Sequence, residues 1–107
     1  MEMLCVRFYT TEGMRHQHQP IGDWLFAQAR ELGIPGGTAF RASAGYGRHG
    51  LREDHFFELA GTLPECVEFF AEEGHIAALL TRVGAAGLKL FYALYPVRLG
   101  ITGASSG

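Results

Sequence analysis

Apolar and polar residues alternate from the start of the chain. In residues 3–10, Leu4, Val6 and Phe8 fall on one side, and Cys5, Arg7 and Tyr9 on the other. A period of two predicts a strand. A polar stretch, Thr11 to Gln19, follows, and Pro20 suits the first turn of a helix. Ile21, Trp24, Leu25, Phe26, Ala29 and Leu32 then recur at helical spacing. Gly33 ends that helix, and Ile34-Pro35 prevents its continuation. Thr38 to Ser43 reads as a second strand, and Gly45 to His55 as a polar loop. Phe56 to Leu59 fits a short strand or a helical turn equally well. Glu65 to Glu72 is a third strand, with Val67, Phe69 and Ala71 opposed to Cys66, Glu68 and Phe70. Residues 75–83 place Ile76, Leu79, Leu80 and Val83 on one helical face. A turn at Gly84 to Gly87 precedes a last strand, Lys89 to Val97. Residues 1–100 are expected to form one domain, and the small, polar residues 101–107 a flexible tail.

Strand, helix, strand, strand, helix, strand is the order of an α+β, ferredoxin-like βαββαβ sandwich. Two helices should cover one face of an antiparallel sheet. The other face would carry Cys5, Arg7, Tyr9, Cys66, Glu68 and Phe70 on two neighbouring strands. A half-apolar open face on so small a domain points to burial against further subunits. Arg7 and Glu68 lie on it and are placed to pair across the strands.

Composition narrows the function classes. The chain has 107 residues, of which 48% are hydrophobic and 19% charged, which suits one globular domain. The net charge of −2 has no concentrated basic face, so nucleic acid is not an expected partner. No apolar run is long enough for a membrane span. Met1 to Thr10 lacks the charged start and apolar run of a signal peptide, so a cytoplasmic protein is expected. Cys5 and Cys66 are isolated and read as plain thiols on strands.

The chemistry-bearing stretch follows the second strand: Gly45-Tyr46-Gly47-Arg48. Glycines one residue apart let the backbone approach a ligand closely, and an arginine beside them offers a planar fork to an anion. By itself the motif is more often a tight turn than a binding site. Three pieces give it context. Gly37-Thr38 opens the second strand, Gly45-Tyr46-Gly47-Arg48 closes it, and Thr81 to Phe91 runs a glycine-rich turn into Lys89-Leu90-Phe91. Together they resemble the PII-like signalling proteins, specifically a PII-like family related to the nitrogen-regulatory PII proteins, over roughly residues 3–100.

That resemblance implies a PII-like homotrimer with its sheets facing inward. It implies an adenine nucleotide as effector in the inter-subunit clefts, with no other cofactor. Thr38 would lie near the adenine, and Gly45, Gly47, Arg48 and Lys89 would face the phosphates, with Gly87 and Arg98 in the same site. AMP, ADP, ATP and a cyclic adenine nucleotide all remain open. A loop after the second strand, His49 to His55, would be the mobile element that docks on a membrane transporter or an enzyme of carbon or nitrogen metabolism.

Other residues give competing readings. His16-Gln17-His18 is an H-x-H that would bind zinc or copper if it lay on a strand, as in the related copper-tolerance trimers; in a loop it is solvated. The open glycine loop and the arginines also permit an acylphosphatase-type enzyme, but no catalytic asparagine is placed. No serine lies in a hydrolase motif, and no nucleophile sits beside a base at informative spacing. The chain therefore reads as a sensor and not an enzyme.

Overall fold

The computed structural model describes residues 2–45 and 63–103. Eight elements follow in order: β1 (Glu2–Thr11), β2 (Arg15–His16), β3 (Gln19–Pro20), α1 (Ile21–Glu31), β4 (Gly37–Arg41), β5 (Pro64–Ala71), α2 (Glu73–Ala85) and β6 (Phe91–Arg98). Leaving aside the two-residue strands, this is the expected α+β order. The main sheet is antiparallel with strand order β4-β5-β1-β6, so β4 and β6 are its two edges among the described residues.

Register separates the faces. Val6 pairs with Phe69, and Phe8 with Val67. These four are 0 to 1% exposed and meet Ile21, Trp24, Leu25 and Ala29 of α1 and Ile76, Leu79 and Val83 of α2. The helix residues recur at three- and four-residue spacing, which is why one stripe of each helix is buried. Phe69 takes Phe8 and Phe26 edge-on, at centroid distances of 6.4 and 5.9 Å. Both helices stop in the same way. Gly33 and Gly87 have φ of +83° and +80°. In each case the glycine N–H and the next N–H turn back to the helix: Gly33 to Arg30 and Ile34 to Ala29, Gly87 to Gly84 and Leu88 to Val83. That is the Schellman arrangement, in which glycine takes the left-handed position without a Cβ penalty.

Several boundaries differ from the sequence reading. The stretch Thr11 to Gln19 contains a small hairpin, β2–β3, whose turn residues Gln17 and His18 have φ of 52° and 69°. A two-residue hairpin turn of this hand needs both residues left-handed; with neither a glycine, the sequence carries no warning of it. The second strand ends at Arg41 rather than Ser43, and the last begins at Phe91 rather than Lys89. α2 is longer at both ends than residues 75–83. Tyr46, Gly47, Arg48, His49 to His55 and Phe56 to Leu59 lie outside the described residues, as do 104–107 of the tail.

Candidate functional site

The sheet face that no described helix covers is built from one cross-strand row. Thr38 pairs with Glu68, Glu68 with Arg7, and Arg7 with Ala93. Arg7 and Glu68 form the expected ion pair: Nε lies 2.8 Å from Glu68 Oε2, and Nη2 bonds the same oxygen. Arg7 Nη2 also donates to the Tyr95 hydroxyl at 3.2 Å, and that hydroxyl donates to Glu68 at 3.4 Å. The guanidinium stacks near the rings of Phe40 and Tyr95, 5.5 and 6.0 Å from their centroids. The Glu68 hydrogen bond holds the Arg7 guanidinium more firmly protonated than an ordinary arginine. Burial pushes both the Cys5 and the Cys66 thiols up. Tyr95 is pushed up to about 12, first by its hydrogen bond with Cys5 and then by burial. The sequence reading placed Arg7, Glu68 and the two buried cysteines here, but missed Phe40 and Tyr95. Alternation on β4 and β6, followed as closely as on β1, would have found them.

Phe40, Phe70 and Phe91 are exposed on this face around the ion pair. Beside it, Gly36, Gly37, Thr38, Phe70 and Leu99 line an open cleft of about 400 Å³. The residues after β6 therefore reach the wall that β4 begins. Gly37 has a packing reason to be glycine: a Cβ there would come within 2.5 Å of the Phe69 ring. At Gly36 a Cβ would meet nothing within 4 Å.

The other sequence-selected residues scatter. Thr38 is on β4, and the exposed Gly45 follows that strand. Gly87 caps α2, and the exposed Lys89 leads into β6. Arg98 ends β6, paired with Glu2. Gly47 and Arg48 lie outside the described residues. β4 and β6 are separated by two strands, about 14 Å at roughly 4.8 Å per strand. Arg41 at the end of β4 and Phe91 at the start of β6 lie at the same end of the sheet, since Glu65 and Tyr9 align them through Thr10 and β1. Gly45 and Lys89 thus follow and precede opposite edges at one end. The fold of one chain brings Thr38 together with Leu99 but not with Lys89.

The histidine pair is split. His16 packs edge-on against Trp24 at 4.8 Å, with its Nε2 buried and unpartnered, while His18 is exposed in the turn. Among the described residues no three metal-ligand side chains converge. No described helix is long and apolar enough to cross a membrane.

The chain matches the DUF190 family, described as Uncharacterized ACR, over residues 3–97. A UPF0166 protein of Aquifex aeolicus (strain VF5) is 35% identical over 79 residues, covering 73% of this chain and 75% of that one. Solved structures share the architecture. A PII-like signalling protein of Thermus thermophilus aligns with TM-score 0.61 at 13% identity, over 90% of this chain and 87% of its own. CPII, a nitrogen regulatory PII-like protein of Thiomonas intermedia bound to ADP, AMP and bicarbonate, aligns with TM-score 0.60 at 15% identity, over 94% of this chain and 96% of its own. CPII bound to ADP and bicarbonate aligns with TM-score 0.61 at 17% identity, over 94% and 91%. At such identities the likeness fixes the PII-like fold.

Proposed function

Because the chain belongs to the DUF190 family and has the PII-like fold, we propose that it is a PII-like regulator that binds an adenine nucleotide between the subunits of a homotrimer. One observation carries this reading. The residues with phosphate and base chemistry sit on opposite edges of one sheet, too far apart to meet on a single ligand. A neighbouring copy that sets its β6 side against the β4 edge joins Thr38 of one chain to Lys89 of the next. The open face, with its exposed phenylalanines around a half-buried ion pair, is the surface that such packing covers. CPII, of the same fold, holds ADP and AMP.

Thr38 contacts the base in this reading, and Gly45, Gly47, Arg48, Gly87 and Lys89 surround the phosphates; Arg98 ends β6, at the far end of that strand from Lys89. Backbone N–H groups at glycine turns and cations from separate segments suit a polyphosphate. Nucleotide state then controls docking on a membrane transporter or a carbon/nitrogen enzyme, and the protein itself catalyses nothing. The Schellman role of Gly87 is compatible with this, because its left-handed backbone also exposes the turn that leads to Lys89. The metal-binding alternative gains nothing from His16, whose ring is turned onto Trp24.

Calorimetric titration of AMP, ADP and ATP tests the site. A charge-assisted phosphate contact contributes roughly 1.5–3 kcal/mol. Lys89→Ala should weaken binding about tenfold to a hundredfold while light scattering still gives a trimer. A monomeric wild type at micromolar concentration, or equal affinities in both proteins, removes the inter-subunit site.

A further inference from the structure

The helix side of the sheet is not filled to its margin. Between α1 and the start of β4 lies a cavity of about 210 Å³. Its origin is local. The left-handed turn at Gly33 folds Ile34 back onto α1, with the Ile34 N–H on the Ala29 carbonyl at 2.9 Å. Ile34 and Ala29 are both buried and line the cavity. Pro35 cannot continue the helix and leads the chain away to β4. Register sets Gly37 opposite Phe69. A Cβ at Gly37 would come within 2.5 Å of the Phe69 ring, so glycine there leaves the ring bare toward the cavity. Phe26 lines it too, its ring at 87° to that of Phe69 and 5.9 Å away.

One cation stands at this apolar space. Arg30 lines the cavity from the last turn of α1 and is itself exposed, so its charge is met at the mouth. Arg7, Arg41 and Arg82 each meet a carboxylate of this chain, whereas Arg30 meets none among the described residues. An arginine in a last turn suits the helix dipole, but that does not account for the aromatic void beside it. An apolar cavity of about 150 Å³ accepts benzene. The larger volume here holds one ring with a short arm. Edge-to-face contact with Phe26 and Phe69 favours an aromatic ring. The unpaired guanidinium favours a carboxylate at the end of the arm.

We propose that this cavity binds a small aromatic carboxylate, its ring against Phe26 and Phe69 and its carboxylate on Arg30. The site lies on the helix side of β4, while Thr38 pairs with Glu68 on the open side. It is therefore separate from the proposed nucleotide site and does not depend on it. Pro35, Gly36 and Gly37 line both the cavity and the Thr38 cleft, so an occupant of one rests on a segment that bounds the other.

Phenylacetate is the probe, followed by calorimetry and by the methyl resonances of Ile34. Saturable binding at about millimolar affinity or better is expected, with the Ile34 methyls among the signals that move. Arg30→Gln, at an exposed position, should weaken phenylacetate about fivefold to tenfold. The neutral analogue 2-phenylethanol should bind wild type and Arg30→Gln alike. Ala29→Leu fills the space and should abolish binding of both. Phe26→Ala, at a half-buried position, should weaken both about fivefold and stands in for Ala29→Leu if that variant does not fold. The site is overturned if phenylacetate up to about 10 mM gives no saturable shift at Ile34, or if binding is indifferent to both Ala29→Leu and Phe26→Ala. Equal losses of phenylacetate and 2-phenylethanol on Arg30→Gln overturn the carboxylate. Cyclohexylacetate binding more tightly than phenylacetate overturns the aromatic ring. Ile34 signals that move with protein concentration and not with phenylacetate assign the cavity to a second copy of the chain, and the proposal fails.

Discussion

On the helix side of the sheet, Val6, Phe8, Val67 and Phe69 are 0 to 1% exposed, whereas on the opposite side Phe40, Phe70 and Phe91 are 39, 36 and 46% exposed. Both sides are rich in aromatic rings. The difference lies in what stands at their centres. The helix side is apolar at its centre, with the buried Thr10 hydroxyl satisfied by the Glu65 carbonyl at 3.0 Å, and is closed by α1 and α2 of the same chain. The open side has an ion pair at its centre, with a tyrosine and two thiols packed beside it. Glu68 is only 13% exposed at the side chain although no described element of the chain covers that face. One face is complete in itself; the other carries an ion pair already neutralised within the chain. Burial there then brings no unpaired charge out of water, which is the usual obstacle to covering an ionic surface.

The largest effect should come from the completed face. Phe69→Ala removes the ring on which Phe8 and Phe26 pack and against which Gly37 fits. A buried phenylalanine-to-alanine change costs about 3–5 kcal/mol. Urea unfolding should show that loss, and it should not depend on protein concentration beyond the dependence of wild type. A loss under about 1 kcal/mol would mean that the helix side is not the core.

The open face should respond less, and conditionally. Arg7→Met leaves Glu68 with the Tyr95 hydroxyl as its one remaining donor among these contacts. In a separate chain, water reaches the carboxylate, and the change should cost at most about 1 kcal/mol. In a trimer with the face covered, the cost should be about 1–3 kcal/mol. The double variant Arg7→Met/Glu68→Met should recover most of it, since an apolar pair needs no partner. Unfolding followed at several protein concentrations distinguishes the two regimes. Equal costs for the single and double variants would show that the pair is not what the face is organised around.

Much of this contrast was legible in the sequence. Alternation on β1 and β5 sorted Val6, Phe8, Val67 and Phe69 from Cys5, Arg7, Cys66 and Glu68, because a strand of period two leaves no freedom in which side faces the core. Gly33 was legible as a stop because a left-handed cap selects glycine. The hairpin at Gln17-His18 was not, since its turn is held by closure between Met14 and Ile21 and by Arg15 on the His18 carbonyl at 2.6 Å, not by turn residues. The ion pair between Arg41 and Glu12, 3.2 Å apart, was not legible either: it joins the end of β4 to the residue after β1, which is not its neighbour in the sheet, and no local spacing encodes such a pair. For the candidate site, Thr38 and Lys89 came from motif resemblance. Their placement on opposite edges needed the strand order, which follows from packing rather than from any one segment.

The smallest effect is a pH dependence confined to the open face. The Tyr95 hydroxyl is pushed up to about 12 from an ordinary value of 10, first by Cys5 and then by burial. A folded value above the unfolded one means that the folded state holds the proton more tightly. The associated stability is fully present below about pH 10 and is lost as pH rises toward 12. The two raised thiols titrate in the same direction from an ordinary value of 9, so their contribution begins to fade earlier. Tyr95→Phe should therefore flatten the upper part of the decline in urea midpoint between about pH 10 and 12 and leave the midpoint nearly unchanged at about pH 7. The ultraviolet titration should agree, with a late step in wild type that is absent from Tyr95→Phe. If all the tyrosines of wild type ionise together near about pH 10, the Tyr95 hydroxyl is not held by Cys5 and Glu68, and the open face is less ordered than the helix side demands of its counterpart.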